Sequence, residues 1–479
     1  MFDYAIIGAG PAGLTLAWYL AKYNKKVLLV EKESTVGGCH RVRRVNGLFT
    51  EHGPRIYLKN YFSFIDILTQ MNLNFDDLFT EYDFSVNVSA KKLLSLLSYK
   101  ELLIFAYEFT KFTFDDTVSK NLTMAEFTKK YDFKQDSIDY INVICMLSDG
   151  GTIDNYTLFE FFQILNQNVF YGIYQPKLPN DIGLFKYWKG ALLKTNNVTF
   201  AFNTEIVNIV NNDNNNDVNY LMAKYKNNIQ SQIKATNYIF AIPPMPMVNI
   251  VKNSLNQNIF GNINDLIEWE KKSRYMVYIP INFHWDTNVK LEKIQGITES
   301  DYGIVYIVMS NYMNFHDKRS KIVITCTVKT TNKKSTFNNK TANECNETEL
   351  IQEVFRQLKI YQPQLPTPTT SILSPGIYKD AKTNEWETID TAYFYTKAGY
   401  KSNKSIYDNL YWIGTHNGNS NYSFTAMESA MENAISLLHD IEPLSKNEVL
   451  IHQPFTITKL IFIIFILVIL GLLFKYKYS

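Results

Sequence analysis

The sequence predicts an α/β fold: a parallel sheet flanked by helices, an inserted α+β domain, and a solitary apolar helix at the C-terminal end. Three observations predict it. Residues 4–31 read as strand, glycine turn, helix and strand. Residues 409–434 read as an apolar strand, a glycine-containing turn and a helix of small and apolar residues. Residues 460–474 form an unbroken apolar run.

The first element is a dinucleotide-binding pattern. Tyr4–Ile7 is a short apolar strand, and Gly8-Ala-Gly10-Pro11-Ala12-Gly13 follows it. Gly8 allows the tight turn, Gly10 lets backbone approach a pyrophosphate, and Gly13 lets helix and sheet pack closely. Pro11 and Ala12 open the helix, whose unpaired N–H groups and positive dipole end suit phosphate. Val27–Val30 is the next strand, and Glu31 ends it. An acid about 20 residues beyond the glycines accepts hydrogen bonds from a ribose and repels a 2′-phosphate. Lys32 is placed at the same adenosine end. The Rossmann-like reading rests on strand, turn, helix and acid agreeing.

Beyond the acid, Gly37-Gly38-Cys39-His40-Arg41 supplies a second glycine pair, suited to backbone lying along an extended cofactor. Glu51-His52-Gly53-Pro54-Arg55 follows. With these residues the chain resembles the flavin-containing amine oxidase superfamily, which includes monoamine, polyamine and protoporphyrinogen oxidases and phytoene desaturases. The Gly53-Pro54-Arg55 segment is similar to that of protoporphyrinogen oxidases in particular. The resemblance implies FAD, and it assigns Gly38, Cys39, Arg41, Gly53, Pro54 and Arg55 to its site. Arginine suits phosphate or flavin contacts.

The C-terminal block is Asn409-Leu-Tyr-Trp-Ile413-Gly414-Thr415-His416-Asn417-Gly418, then Thr425-Ala426-Met427-Glu428-Ser429-Ala430. In the family such a helix points its N-terminus at the flavin, where donors stabilise negative charge. Gly414, Thr415, Ala426 and Met427 are assigned to FAD on this likeness. Ala430 departs from the family, where many members carry glycine. A third fragment reads as a strand over Val198–Ile209, an Asn-rich stretch, a strand over Tyr220–Tyr225, and Ala235–Pro244. The family has a β-meander here, closed by a strand that ends in Ala-x-Pro-Pro (Ala241–Pro244), and Ile206 would lie near the adenine through its backbone. No cysteine precedes the C-terminal glycine turn, so the FAD is expected to be bound non-covalently.

Composition narrows the function classes. At 479 residues, two domains are the default. A net charge of +2 offers no field for nucleic acid, and 46% hydrophobic residues mean a globular chain. The four cysteines, Cys39, Cys145, Cys326 and Cys345, show no metal-ligand spacing, so neither metal nor disulfide is expected. The apolar tail, extended back to Phe455 and flanked by Lys459, Lys475 and Lys477, has the length and ends of a membrane span. The start of the chain reads as the nucleotide strand rather than a leader. The expectation is therefore a single-pass C-terminal anchor with a cytosolic catalytic body.

The resemblance assembles an FAD domain from residues 1–58, 185–250 and 385–441, and a substrate domain from 59–184 (helical) and 251–384 (strand-rich). Residues 442–454 would link to an anchor at 455–474. The chemistry implied is hydride transfer from a small molecule to flavin N5, with oxygen as the usual reoxidant. The substrate would be an amine or a lipophilic conjugated molecule of tetrapyrrole or polyene type. Trp386, Tyr393, Tyr395 and Tyr400 are candidates for an aromatic substrate pocket. With 15% aromatic residues in the chain, core packing explains them equally well. The lysine that amine oxidases hold near the flavin has no assigned position here. His40, His52 and His416 flank the flavin motifs, and hydride transfer requires none of them as a base. A UDP-galactopyranose mutase-like flavoenzyme without net redox, or a non-catalytic FAD-binding protein, are the alternative readings.

Overall fold

A computed structural model describes residues 1–51, 53, 55–82, 90–148, 151–211, 216–273, 278–291, 296–297, 299–389, 396–422 and 425–478. The chain begins with β1 (Phe2–Ile7), α1 (Pro11–Lys22) and β2 (Val27–Val30). After α2 (Phe62–Gln70) comes a helical region that includes α3 (Tyr99–Phe114), α4 (Gln135–Ser148) and α5 (Leu158–Asn168). The chain then returns to the first sheet as β3 (Val198–Ala201). It continues through β4 (Thr204–Asn211), β5 (Val218–Tyr225), β6 (Gln230–Ile233) and β7 (Ala235–Phe240). A second sheet contains β8 (Ile279–Trp285), β9 (Val305–Val308), β10 (Ile322–Val328) and, after α6 (Glu347–Tyr361), β11 (Thr370–Leu373). Last come β12 (Leu410–Trp412), α7 (Met427–Ile441) and α8 (Ile457–Tyr478).

The first sheet has the order β12-β7-β1-β2-β3 and is parallel throughout. Alternation along β1 explains its two covered faces: Tyr4 and Ile6 join one core, Ala5 and Ile7 the other. On the first face α1 packs with α7, through residues such as Leu16, Leu20, Met431 and Ile435. On the second lie the antiparallel meander β4-β5-β6 and the helices Pro244–Asn253 and Ile263–Lys272.

Two sequence expectations are corrected here. Val198–Ile209 is two strands, because Asn203 takes a left-handed φ of 53° and turns the chain out of the sheet and into the meander. The strand ending at Phe240 does not close the meander. It enters the parallel sheet between β12 and β1.

The second sheet is antiparallel, in the order Gly296–Ile297, β9, β10, β8, β11. One face is apolar: Ile281, Phe283, Ile324, Cys326 and Val328 pack against Leu350, Val354 and Leu358 of α6. The other face carries Asn282, His284, Thr325 and Thr327, with Lys329 just past the strand end, and all are buried. It meets the segment after β2: Asn282 Nδ2 donates to Glu51 O (3.4 Å) and His284 Nε2 sits 3.0 Å from Phe49 O. The helical region has its own aromatic core, including Phe112, Phe127, Phe159 and Phe162. Within α8, Ile457–Tyr476 is a 20-residue stretch of mean hydropathy 3.0 with none of it buried.

Candidate functional site

The strand order brings the two glycine turns together. Ala241 N–H donates to Ile7 O (2.7 Å) and Ile413 N–H donates to Phe240 O (2.7 Å). The turns after β1 and β12 therefore open at the same carboxyl edge, with only β7 between them. Ligands of open parallel sheets bind at that edge.

At the β1 turn each glycine has a physical reason. Gly8 has φ +104°, and a Cβ there would fall 2.4 Å from Ala241 O. A Cβ on Gly13 would fall 2.0 Å from Gly8 O. Gly10 and Gly38 face each other, and a Cβ on Gly38 would lie 2.9 Å from the Gly10 Cα. Gly37 N–H donates to Ala9 O (2.8 Å), tying the two glycine segments into one cradle. Helix α1 starts at Pro11 and Ala12 with no side-chain cap and no acid in its first turn. Its positive end is therefore available to an anion.

Glu31 is buried at the end of β2. Its carboxylate accepts Ala9 N–H (2.9 Å) and Glu33 N–H (3.0 Å), and pairs with Arg41 Nη2 (3.1 Å). A carboxylate offers about four lone-pair directions, so one acceptor position remains for a ribose hydroxyl. Lys32 points into solvent. Thr204 N–H donates to Glu31 O (3.0 Å), which sets the start of β4, and Ile206 two residues on, beside the acid. The Ile206 side chain itself is core.

Both arginines have carboxylate partners within the protein. Arg41 is buried and spans Glu31 and the Thr35 carbonyl (Nε 3.2 Å, Nη2 3.0 Å), so it clamps the glycine loop. Arg55 is buried and donates Nε–H to Glu51 (2.9 Å). A guanidinium out of water takes the nearest carboxylate, and here each arginine has one within its own segment. Burial still pushes the Glu51 carboxyl up to about 7, with Arg55 opposing. Gly53 lies against the second sheet, where a Cβ would be 3.8 Å from Thr327 Oγ1. Cys39 is half-buried in the loop, and none of the four cysteines forms a disulfide. Pro54, His52, Tyr393 and Tyr395 lie outside the described residues.

At the β12 turn, Gly414 N–H donates to Asn417 Oδ1 (2.9 Å). Gly418 is left-handed, and the Tyr400 ring lies so close that a Cβ would sit 2.5 Å from it. Tyr400, Thr415, Gly418, Thr425, Ser429 and Phe159 line a cavity of about 160 Å³. Ala426 N–H donates to Ser429 Oγ (3.0 Å), and α7 begins at the buried Met427. Trp386 is elsewhere: it belongs to the core of the second sheet, and its indole N–H donates to Ala342 O (2.9 Å). The structure does not gather it with Tyr400 into one aromatic wall.

His40 and His416 are buried, and desolvation pushes both imidazoles down to about 3. They are neutral at physiological pH and are poor bases. Among the described residues no three metal-ligating side chains cluster.

Two residues escaped the sequence reading. Glu428 is fully buried and accepts Ser63 N–H (2.6 Å) and Phe64 N–H (3.1 Å), capping α2 from a distance in sequence of 365 residues. Burial, with Glu432 nearby, pushes its carboxyl up to about 8. Lys329 carries a buried ammonium nitrogen with no hydrogen-bond partner among the described residues. Desolvation pushes it down to about 7. The signal for Lys329 was the alternation Thr325, Thr327, Lys329 against Ile324, Cys326, Val328, which marks a polar face.

Turns, acid and sheet edge together define a Rossmann-like, dinucleotide-binding fold. Residues 6–70 match the NAD(P)-binding Rossmann-like domain family. The chain superposes over 92% of its length on 98% of a putrescine oxidase bound to putrescine, with TM-score 0.61 and 12% identity. It matches a protoporphyrinogen oxidase-like protein of Exiguobacterium sp. 255-15 over 92% and 98%, with TM-score 0.56 and 13% identity. The chain thus shares the fold of these two oxidase structures. A UDP-galactopyranose mutase of Mycoplasma genitalium is 39% identical over 71 residues, which are 14% of this chain and 18% of the mutase. The match thus spans under a fifth of that relative.

Proposed function

We propose that the chain is an FAD-dependent oxidoreductase held to a membrane by α8, with its catalytic body on the cytosolic side. It takes hydride from an amine or from a lipophilic conjugated substrate of tetrapyrrole or polyene type. The observation that carries this reading is the meeting of the β1 turn, the Gly37–Gly38 loop and the β12 turn along one sheet edge. Strands from three distant parts of the sequence make that edge.

The residues fit an FAD. Gly10 and Gly38 keep backbone where a side chain would block a diphosphate. The open start of α1 directs N–H groups at it. Glu31 has an acceptor position left for the ribose. Bound there, FAD supplies the hydride acceptor at its N5. The start of α7 directs its dipole toward the cavity beside Tyr400, where reduction adds negative charge. The buried sheet face that ends at Lys329 excludes water on the side of Gly53. The block at 409–434 carries no cysteine, which fits a dissociable cofactor.

The test is anaerobic. The full-length chain, solubilised in detergent, should be yellow and should release its chromophore on denaturation. It should bleach with a member of a panel of amines, protoporphyrinogen and polyenes, and recover colour in air. A folded preparation that stays colourless when supplied with FAD overturns the reading. The short mutase match supports the alternative: interconversion of UDP-galactopyranose with no net bleaching would move the assignment there.

A further inference from the structure

We propose that this protein meets the bilayer with a second surface besides α8: the outward stripe of α3, seated among lipid headgroups and upper acyl chains. The proposal rests on the reading of α8 as a membrane span, and goes beyond it.

Helix α3 is inverted relative to a water-facing helix. Tyr99, Leu103, Tyr107 and Phe114 are 89, 72, 58 and 76% exposed. At 100° per residue they fall on one narrow stripe. The acids of the same helix point inward: Glu101 and Glu108 are buried. Glu101 closes the capping box with Ser98 and accepts Lys134 N–H (2.7 Å). Glu108 is held by Tyr131 and by Lys111 (3.3 Å). A helix bathed in water shows the opposite arrangement. The apolar surface continues onto Leu94 and Val118 on either side, which are also exposed.

Continuity with α8 identifies the occupant. The Phe114 ring packs edge-on against Phe462, within the first turns of α8, at 5.8 Å. Phe170, at the end of α5, packs on Phe455 at 5.2 Å, and Thr458 N–H donates to Asn166 Oδ1 (3.0 Å). The stripe therefore starts where the span leaves the body. The exposed cations beside it, Lys100 and Lys111, have stems long enough to reach headgroups. Lys111 also lies 4.9 Å from the Tyr107 ring. Two tyrosines, apolar anchors and flanking lysines are the composition of an interfacial helix.

The experiment uses the full-length chain in phosphatidylcholine vesicles, with an environment-sensitive dye on single added cysteines. The substitutions are Leu103→Cys, Phe114→Cys, Leu467→Cys in α8, and Ile229→Cys on the exposed meander. The labelled parent chain supplies the background from its own thiols. Bromine on the upper acyl chains should quench the dyes at 103, 114 and 467 by about twofold or more, and leave 229 unchanged, if α3 lies in the interface. Quenching at 467 with none at 103 and 114 would overturn this inference while leaving the anchor intact. No quenching at 467 would remove both. Shielding of 103 and 114 in lipid-free detergent, together with a doubled particle size, would assign the stripe to a second copy of the chain and overturn the proposal.

Discussion

The two sheets bury their faces by different means. The parallel sheet is apolar on both sides, and its function is written at its edge, in glycines and one acid. The antiparallel sheet is apolar on one side only. Its second face buries Asn282, His284, Thr325 and Thr327; the first three are satisfied by backbone of the Phe49–Glu51 segment, by Ser320 or by one another. Lys329 is the exception among the described residues of that face. The first sheet leaves space along its carboxyl edge, where glycines keep side chains away. The second buries polar groups against the Phe49–Glu51 segment, and these are costly to take out of water.

The comparison breaks most severely at the glycines. Gly13→Val should cost about 3 kcal/mol or more, because the branched side chain meets the Gly8 carbonyl with no room to relax. Flavin absorbance and the thermal midpoint should fall together. Gly190→Ala, inside the helix Leu184–Lys194 with nothing within 4 Å of the new methyl, should leave the absorbance unchanged and raise the thermal midpoint slightly, since alanine is the better helix former.

Lys329→Met tests the other sheet. The folded pKa is about 7, below the ordinary lysine value of 10.5. Between these values the unfolded chain holds one more proton than the folded one, so wild-type stability rises with pH in that window. Urea unfolding should show a gain of about 2 kcal/mol from pH 7 to 9 in the wild type that Lys329→Met lacks. The variant should be the more stable protein at pH 7. Equal slopes in both proteins would mean that the ammonium is solvated.

Glu428→Ala should cost about 2 kcal/mol, since two buried N–H groups at the start of α2 lose their acceptor. Denaturant midpoints measure it, and Glu428→Gln, which keeps one acceptor, should recover roughly half. Trp386→Phe should have the smallest destabilising effect, about 1 kcal/mol for the lost bond to Ala342 O. It should leave the rate of flavin bleaching by substrate unchanged. A fall in that rate with unchanged stability would return Trp386 to the substrate pocket.

Local patterns carried the dinucleotide cradle. Gly8 to Glu31 is one continuous unit, and glycine spacing, helix start and terminal acid are all properties of neighbours in sequence. The same holds for the apolar run of α8, which depends on length and composition alone. Tertiary structure decided the rest. Arg41 and Arg55 are the residue types that a diphosphate or flavin attracts, yet burial beside Glu31 and Glu51 paired them within their own segments. Trp386 and Tyr400 are close in sequence, but the hairpin at 377–388 carries one into the second sheet's core and the other to the β12 turn. Glu428, Lys329 and the inverted α3 draw their meaning from groups far along the chain. Burial and the choice of partner are set by the whole fold, and a sequence read one neighbourhood at a time does not contain them.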